Sequence, residues 1–237
     1  MTAPTLILVP GLMCNETSWD PILPALSAQA TCQVVSHGEA DSLTQMAQQI
    51  LDNAPAQFDL AGHSMGGRVA LEVVRLAPER VRRLALLGTG YRAKEAGPAG
   101  EKEVQGRQAL LEVAQNQGVR AMAKVWVQNM VAPSRLADAA FIEAIVQMFE
   151  RKSVDIFQRQ IKALLARPDA TEVLRQVRVP TLVMAGEFDA WASPQQHQAI
   201  ADLIPTTPAM QTVVGSGHMM MMEKTDAVAA LFLDWLR

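Results

Sequence analysis

The sequence predicts an α/β protein: a mainly parallel sheet of about six strands, flanking helices, and one all-helical insertion. Three observations predict it. Six short aliphatic runs alternate with helical patterns, as parallel strands joined by crossover helices require. One long stretch, residues 91–170, shows helical periodicity and no strand signal. The chain has 237 residues, 49% of them apolar, which suits one domain carrying an insertion better than two independent units.

The first run, 5–9, is stopped by Pro10-Gly11, and the second, 33–36, is weaker. Run 58–61 leads into Gly62, 83–87 stops at Gly88, 180–185 at Gly186 and 211–214 near Gly215. Helix starts are readable between them. Ser42 and Gln45 form a capping-box pattern ahead of Leu43, Met46, Ala47 and Ile50. Ser193 repeats it, with Pro194 at the first helical position and Gln196 at the third. Residues 65–76 read as the helix after the third run. Residues 222–237 read as a closing amphipathic helix with Val228, Leu231, Phe232 and Trp235 on one side.

In the insertion, Val119, Met122, Trp126 and Met130 recur at helical spacing. So do Phe141, Ile145, Met148 and Phe149, and then Val154, Phe157, Ile161 and Leu164. Pro98, Gly118 and Pro133-Ser134 punctuate the stretch. The expected division is a core of residues 1–90 and 171–237 with a helical lid at 91–170. The lid segment holds 12 Lys+Arg and 9 Asp+Glu, a net of +3, against -6 for the remainder. Two readings of that excess stand open: ordinary solvated helix faces, or a basic lid facing an anionic substrate or an acidic carrier protein.

Composition removes several function classes. A net charge of -3 argues against nucleic acid as the main partner. No stretch is apolar enough to span a bilayer, and the N-terminal run lacks a basic start, so a cytoplasmic protein is expected. Cys14 and Cys32 are too few for a disulfide scaffold, and His37, His63, His197 and His218 form no metal-type spacing. Neither a metal nor an organic cofactor is expected. His63 reads as a hydrogen-bonding residue turned away from substrate, and His37 and His197 as surface residues.

Chemistry enters at Gly62-His63-Ser64-Met65-Gly66, a G-x-S-x-G pattern between a strand and a helix. Such a turn strains the serine backbone and lifts its hydroxyl above the carboxyl edge of the sheet, over a helix N-terminus. Serine needs a base, and the base an orienter. Val183 through Gly186-Glu187-Phe188-Asp189 is a strand ending in a carboxylate, and Val213 through Gly217-His218 is a strand ending in an imidazole. Parallel strands put both beside Ser64. Glu187 competes with Asp189, but Asp189 lies past the strand, before the Ser193-Pro194 helix start. An oxyanion hole is expected from the N–H groups of Met65 and Leu12, the latter in the loop opened by Gly11.

These residues resemble the α/β-hydrolase superfamily, specifically its small lidded serine esterases and lactonases. Pro10-Gly11 with Trp19 resembles the opening H-G-x7-W motif, with proline for histidine. Gly62 through Gly67 matches the elbow, Gly186-Glu187-Phe188-Asp189 resembles the G-x-x-D turn, and Gly217-His218 with Glu223 resembles the closing G-H-x4-E. Thr225 stands where the family carries proline, and Met219 to Met222 follow the histidine. The resemblance implies that the chain starts at the family's third strand. Serine at the elbow argues against dehalogenase and epoxide hydrolase chemistry, which use aspartate there.

The expected function is a serine hydrolase cleaving a small carboxylic ester, thioester or lactone, with Ser64, Asp189 and His218 as its triad. Two alternatives remain from the residues alone: the same triad used by a C–C lyase or a cofactor-free haloperoxidase, and a ligand receptor that keeps only the fold. Trp191 and Met219 are pocket candidates by position. Trp126, Met130, Phe141, Ile145 and Met148 either line the pocket or pack the lid onto the core. Met219 to Met222 either reach the pocket or start the last helix.

Overall fold

The computed structural model describes residues 3–237; Met1 and Thr2, the start of the first core segment and of the N-terminal run, lie outside the described residues. Six strands form one sheet: β1 (Thr5–Val9), β2 (Thr31–Val34), β3 (Phe58–His63), β4 (Val81–Leu87), β5 (Thr181–Gly186) and β6 (Met210–Val213). Their order is β2-β1-β3-β4-β5-β6, and every pairing is parallel. The order reverses between β1 and β3, so the crevice at their carboxyl ends is where this class of sheet binds ligands.

Period-two alternation sends each strand's side chains to two cores. In β1, Ile7 and Val9 join one cluster while Leu6 and Leu8 join the other. The first cluster includes α2 (Leu43–Asn53), α3 (Met65–Leu76) and Ile200 of α9 (Pro194–Leu203). The second takes α1 (Leu23–Leu26), α10 (Met220–Glu223) and α11 (Thr225–Leu236). Trp19 belongs to it, wholly buried and edge-on to Phe232.

Between β4 and β5 the described chain is helical: α4 (Gly97–Gln117), α5 (Val119–Trp126), α6 (Ala139–Glu150), α7 (Val154–Leu165) and α8 (Thr171–Gln176). Pro98 stands in the first turn of α4, Gly118 separates α4 from α5, and Asp138 and Ser153 cap α6 and α7. The apolar faces of α5, α6 and α7 run into the first core without a break. Among the described residues, no helix is long and apolar enough to cross a membrane.

Three local readings shift. The second strand occupies 31–34, two residues earlier than its aliphatic run suggested, because it pairs Thr31 with Thr5. Ser42 caps α2 as expected, but the Gln45 side chain accepts from the Asp41 N–H instead of closing the box on Ser42. Ser193 forms the complete box. The closing helix is broken at Lys224, whose backbone leaves the helical region (φ -137°, ψ 56°). Just before the break, Glu223 turns inward as a hydrogen-bond acceptor.

Candidate active site

The loop after β3 carries Ser64 at φ 56° and ψ -119°, a conformation that few non-glycine residues adopt. The strain is sustained by close packing around the turn. A Cβ on Gly62 would lie 2.3 Å from the Gly66 carbonyl oxygen, and one on Gly66 would lie 2.1 Å from that of Val9. Only glycine lets α3 approach β1 and β3 this closely. Thr89, after β4, donates its hydroxyl to the Ser64 carbonyl at 2.7 Å.

His218 arrives from the loop after β6, with its Nε2 2.8 Å from Ser64 Oγ. Its Nδ1–H donates to Asp189 Oδ2 at 2.7 Å. That bond leaves Nε2 free to accept the serine hydroxyl proton. Asp189 ends the turn after β5, and its other oxygen accepts from the N–H groups of Trp191 (3.0 Å) and Ala192 (2.9 Å). Burial alone would raise the Asp189 carboxyl; the His218 charge and these donors outweigh it and hold the group below its ordinary value. Glu187, the rival carboxylate, accepts instead from the Gly215 N–H at 2.8 Å on the surface.

The His218 loop is fixed from several directions. Its N–H donates to the Met130 carbonyl at 2.7 Å, and its carbonyl accepts from His63 Nε2 at 2.8 Å. Glu223 accepts from Gly217 N–H (3.0 Å), Met219 N–H (3.1 Å) and Ala132 N–H (2.7 Å). Burial raises the Glu223 carboxyl, and those three donors oppose the rise. Across the crevice, the loop after β1 is held by Gln160 of α7, whose Oε1 accepts from Met13 N–H at 2.8 Å. Met13 itself stands at φ 61°. Among the described residues, the N–H groups of Leu12 and Met65 have no hydrogen-bond partner, and both residues line the cavity in front of Ser64.

A model of the alpha/beta hydrolase family matches residues 6–231. The chain belongs to that family. This hydrolase is 28% identical over 217 residues to a pimeloyl-[acyl-carrier protein] methyl ester esterase of Klebsiella pneumoniae, covering 86% of this chain and 83% of that one. It is 29% identical over 252 aligned positions to the dihydrolipoyllysine-residue acetyltransferase component of an acetoin cleaving system in Pseudomonas putida. That alignment takes in 98% of this chain but only 63% of that longer protein. Among solved structures, a thermophilic esterase from Thermogutta terrifontis superposes with a TM-score of 0.85 at 24% identity, covering 100% of this chain and 90% of that one.

The hydrolase's cavity has a volume of about 1110 Å³ and opens over Ser64 and His218. Trp126, Met130 and Trp191 line it, as does Phe157. Trp191 stands edge-on to the His218 ring at 5.1 Å, and Trp126 lies 5.7 Å from Trp191. Phe141, Ile145, Met148 and Met219, expected at the pocket, are not in its wall. Ile145 and Met148 are fully buried between helices, and Phe141 lies under the Arg135 guanidinium. Met219 is also fully buried, and Met220 and Met221 fill the second core, so this run is packing.

The histidines also differ from expectation. His37 and His197, read as surface residues, are buried: His37 donates to the Pro10 carbonyl at 2.8 Å, and His197 accepts from Thr89 N–H at 2.9 Å. His63 does hydrogen-bond, to the His218 carbonyl, and is wholly buried at the border of the cavity. The arginines of that wall, Arg68, Arg107 and Arg167, belong to no motif in the sequence. One signal was available: Arg68 stands four residues past Ser64, in the first turn of the helix that the elbow opens.

Proposed function

We propose that this hydrolase cleaves a carboxylic ester, thioester or lactone through a covalent acyl-enzyme, with Ser64, His218 and Asp189 as its triad. The observation that carries the reading is the hydrogen-bonded chain from Ser64 Oγ to His218 Nε2 (2.8 Å) and from His218 Nδ1 to Asp189 Oδ2 (2.7 Å). Ser64 Oγ attacks the carbonyl carbon while its proton passes to His218 Nε2. The oxyanion is received by the Leu12 and Met65 N–H groups. Collapse returns the proton to the leaving oxygen or sulfur, and water then repeats the sequence to release the acid. Asp189 holds the imidazole in the tautomer this requires.

In this reading residues 91–170 act as a lid over the cavity, and the apolar wall at Trp126, Met130, Phe157 and Trp191 receives the carbon chain. A carrier-bound acyl ester is included among the substrates, supported by the esterase relative named above. We assign the protein to the cytoplasm, where its two free thiols would stay reduced. The test is hydrolysis of p-nitrophenyl butanoate by the wild type and by Ser64→Ala. A loss of at least about 10³-fold in kcat is expected; equal turnover by the two would overturn the assignment.

A further inference from the structure

Part of the cavity wall is basic. It includes Arg68, Arg92, Lys102, Arg107 and Arg167, against the carboxylates of Glu95 and Glu103. The inner part of this set is Arg68, Arg107, Arg167 and Glu103, which place three guanidinium groups around one carboxylate. Arg167, its side chain 9% exposed, grips Glu103 with two bonds of 2.7 Å. Arg107 also donates to Glu103, at 2.9 Å. That uses the one available negative charge twice.

Arg68 is left without a carboxylate. Its Nη1 donates to the Arg92 carbonyl at 2.8 Å, and the same oxygen accepts from Arg167 Nε at 3.1 Å. Two guanidinium groups therefore converge on one neutral acceptor. Burial, followed by the neighbouring Arg167 charge, works against the charged form of Arg68 and lowers its pKa from the ordinary arginine value. Glu95 and Asp169, the other carboxylates near this end, are exposed. A half-buried cation beside another cation is unfavourable unless an anion joins it.

Arg68 is also placed to meet a substrate. It stands in the first turn of α3, which begins directly after Ser64, and both residues line the same cavity. A guanidinium offers a planar pair of donors that matches a carboxylate in two parallel bonds. We propose that this hydrolase acts on esters carrying a free carboxylate away from the scissile bond, and that Arg68, backed by Arg167 and Arg107, receives that carboxylate. The proposal rests on the serine-hydrolase reading above and sharpens it to a substrate class.

The experiment compares charged and neutral esters of matched size. Mono-p-nitrophenyl adipate is set against p-nitrophenyl hexanoate, placing the charge on the acyl side. 4-Carboxyphenyl butanoate is set against phenyl butanoate, placing it on the leaving group. The wild type is expected to favour the charged member of at least one pair by tenfold or more in kcat/KM. In Arg68→Gln that ratio should fall at least tenfold, with the loss appearing in KM for the charged ester, and Arg68→Lys should retain part of it. Adipate should inhibit the wild type competitively where adipamide does not, which carries the test if Arg68→Gln fails to fold. No preference in either pair, or a ratio that survives Arg68→Gln, overturns the proposal. Ser64→Ala on the neutral esters separates the two failures: its inactivity with no charge preference refutes only the carboxylate subsite.

Discussion

Two regions meet at the cavity, and they supply different things. The sheet edge supplies the proposed reactive groups: Ser64 after β3, Asp189 after β5 and His218 after β6. The helical stretch between β4 and β5 supplies braces for the loops that carry them. The Met130 carbonyl holds the His218 N–H, the Ala132 N–H holds Glu223, and Gln160 holds the Met13 N–H. Parallel strands fix where the reactive side chains emerge. The loops beside them are also hydrogen-bonded by a segment that carries none of these three residues. The insertion therefore braces the site as well as lining its cavity.

The sharpest way to break this comparison is to damage the sheet-edge half alone. Asp189→Asn keeps the size of the side chain but removes the acceptor that selects the His218 tautomer. We expect kcat to fall about 10⁴-fold, with the fold intact by circular dichroism. Glu187→Gln, two residues away on the surface, should stay within a few fold. Equal effects from the two would show that the turn, not Asp189, matters.

The regions also differ in how they meet acid, because all four histidines lie outside residues 91–170. Burial pushes His63 down to about 3, with the His218 charge adding to it, and pushes His37 down to about 4; His197 is lowered by burial as well. Each folded value lies below the unfolded value near 6.5, so the unfolded chain binds more protons in between. The stabilisation is fully present above 6.5 and is lost as pH falls toward the folded values. For His37 and His63 together the loss between pH 7 and pH 5 comes to about 4 kcal/mol, read from urea midpoints. His37→Gln should remove about half of that dependence. Hydrogen exchange should open β1, β3 and their loops before α6 and α7. Earlier opening of the helices would reverse the assignment of the acid-sensitive half.

The same division explains what was legible in the sequence. Strand ends marked by glycine, the elbow, and the two turns presenting Asp189 and His218 are local patterns, and parallel topology alone brings them to one edge. The insertion's helices were legible from periodicity, but their inward contacts were not. A stripe such as Phe141, Ile145 and Met148 says that a face is buried, not whether it meets a cavity or another helix. Here α5 and the core take that face, and the cavity is lined instead by Trp126, the last residue of α5, and by Met130 just after it. Buried polar groups were the least visible. His37, His197 and Gln160 owe their burial to partners 27, 108 and 147 residues away, a pairing no local pattern encodes.

Gln160 gives the smallest effect and the finest test. Its Oε1 accepts from the Met13 N–H, one residue beyond the Leu12 N–H that we assign to the oxyanion hole. Gln160→Met keeps the volume and removes the acceptor. The stranded Met13 N–H costs about 1–2 kcal/mol of stability. If α7 also sets the angle of the Leu12 amide, kcat should fall roughly tenfold with KM nearly constant, since the donor is called on only as the oxyanion forms. A variant that loses stability but keeps its kcat would mean that the loop after β1 aims its own amides. The insertion would then brace the histidine side of the crevice and not the oxyanion side.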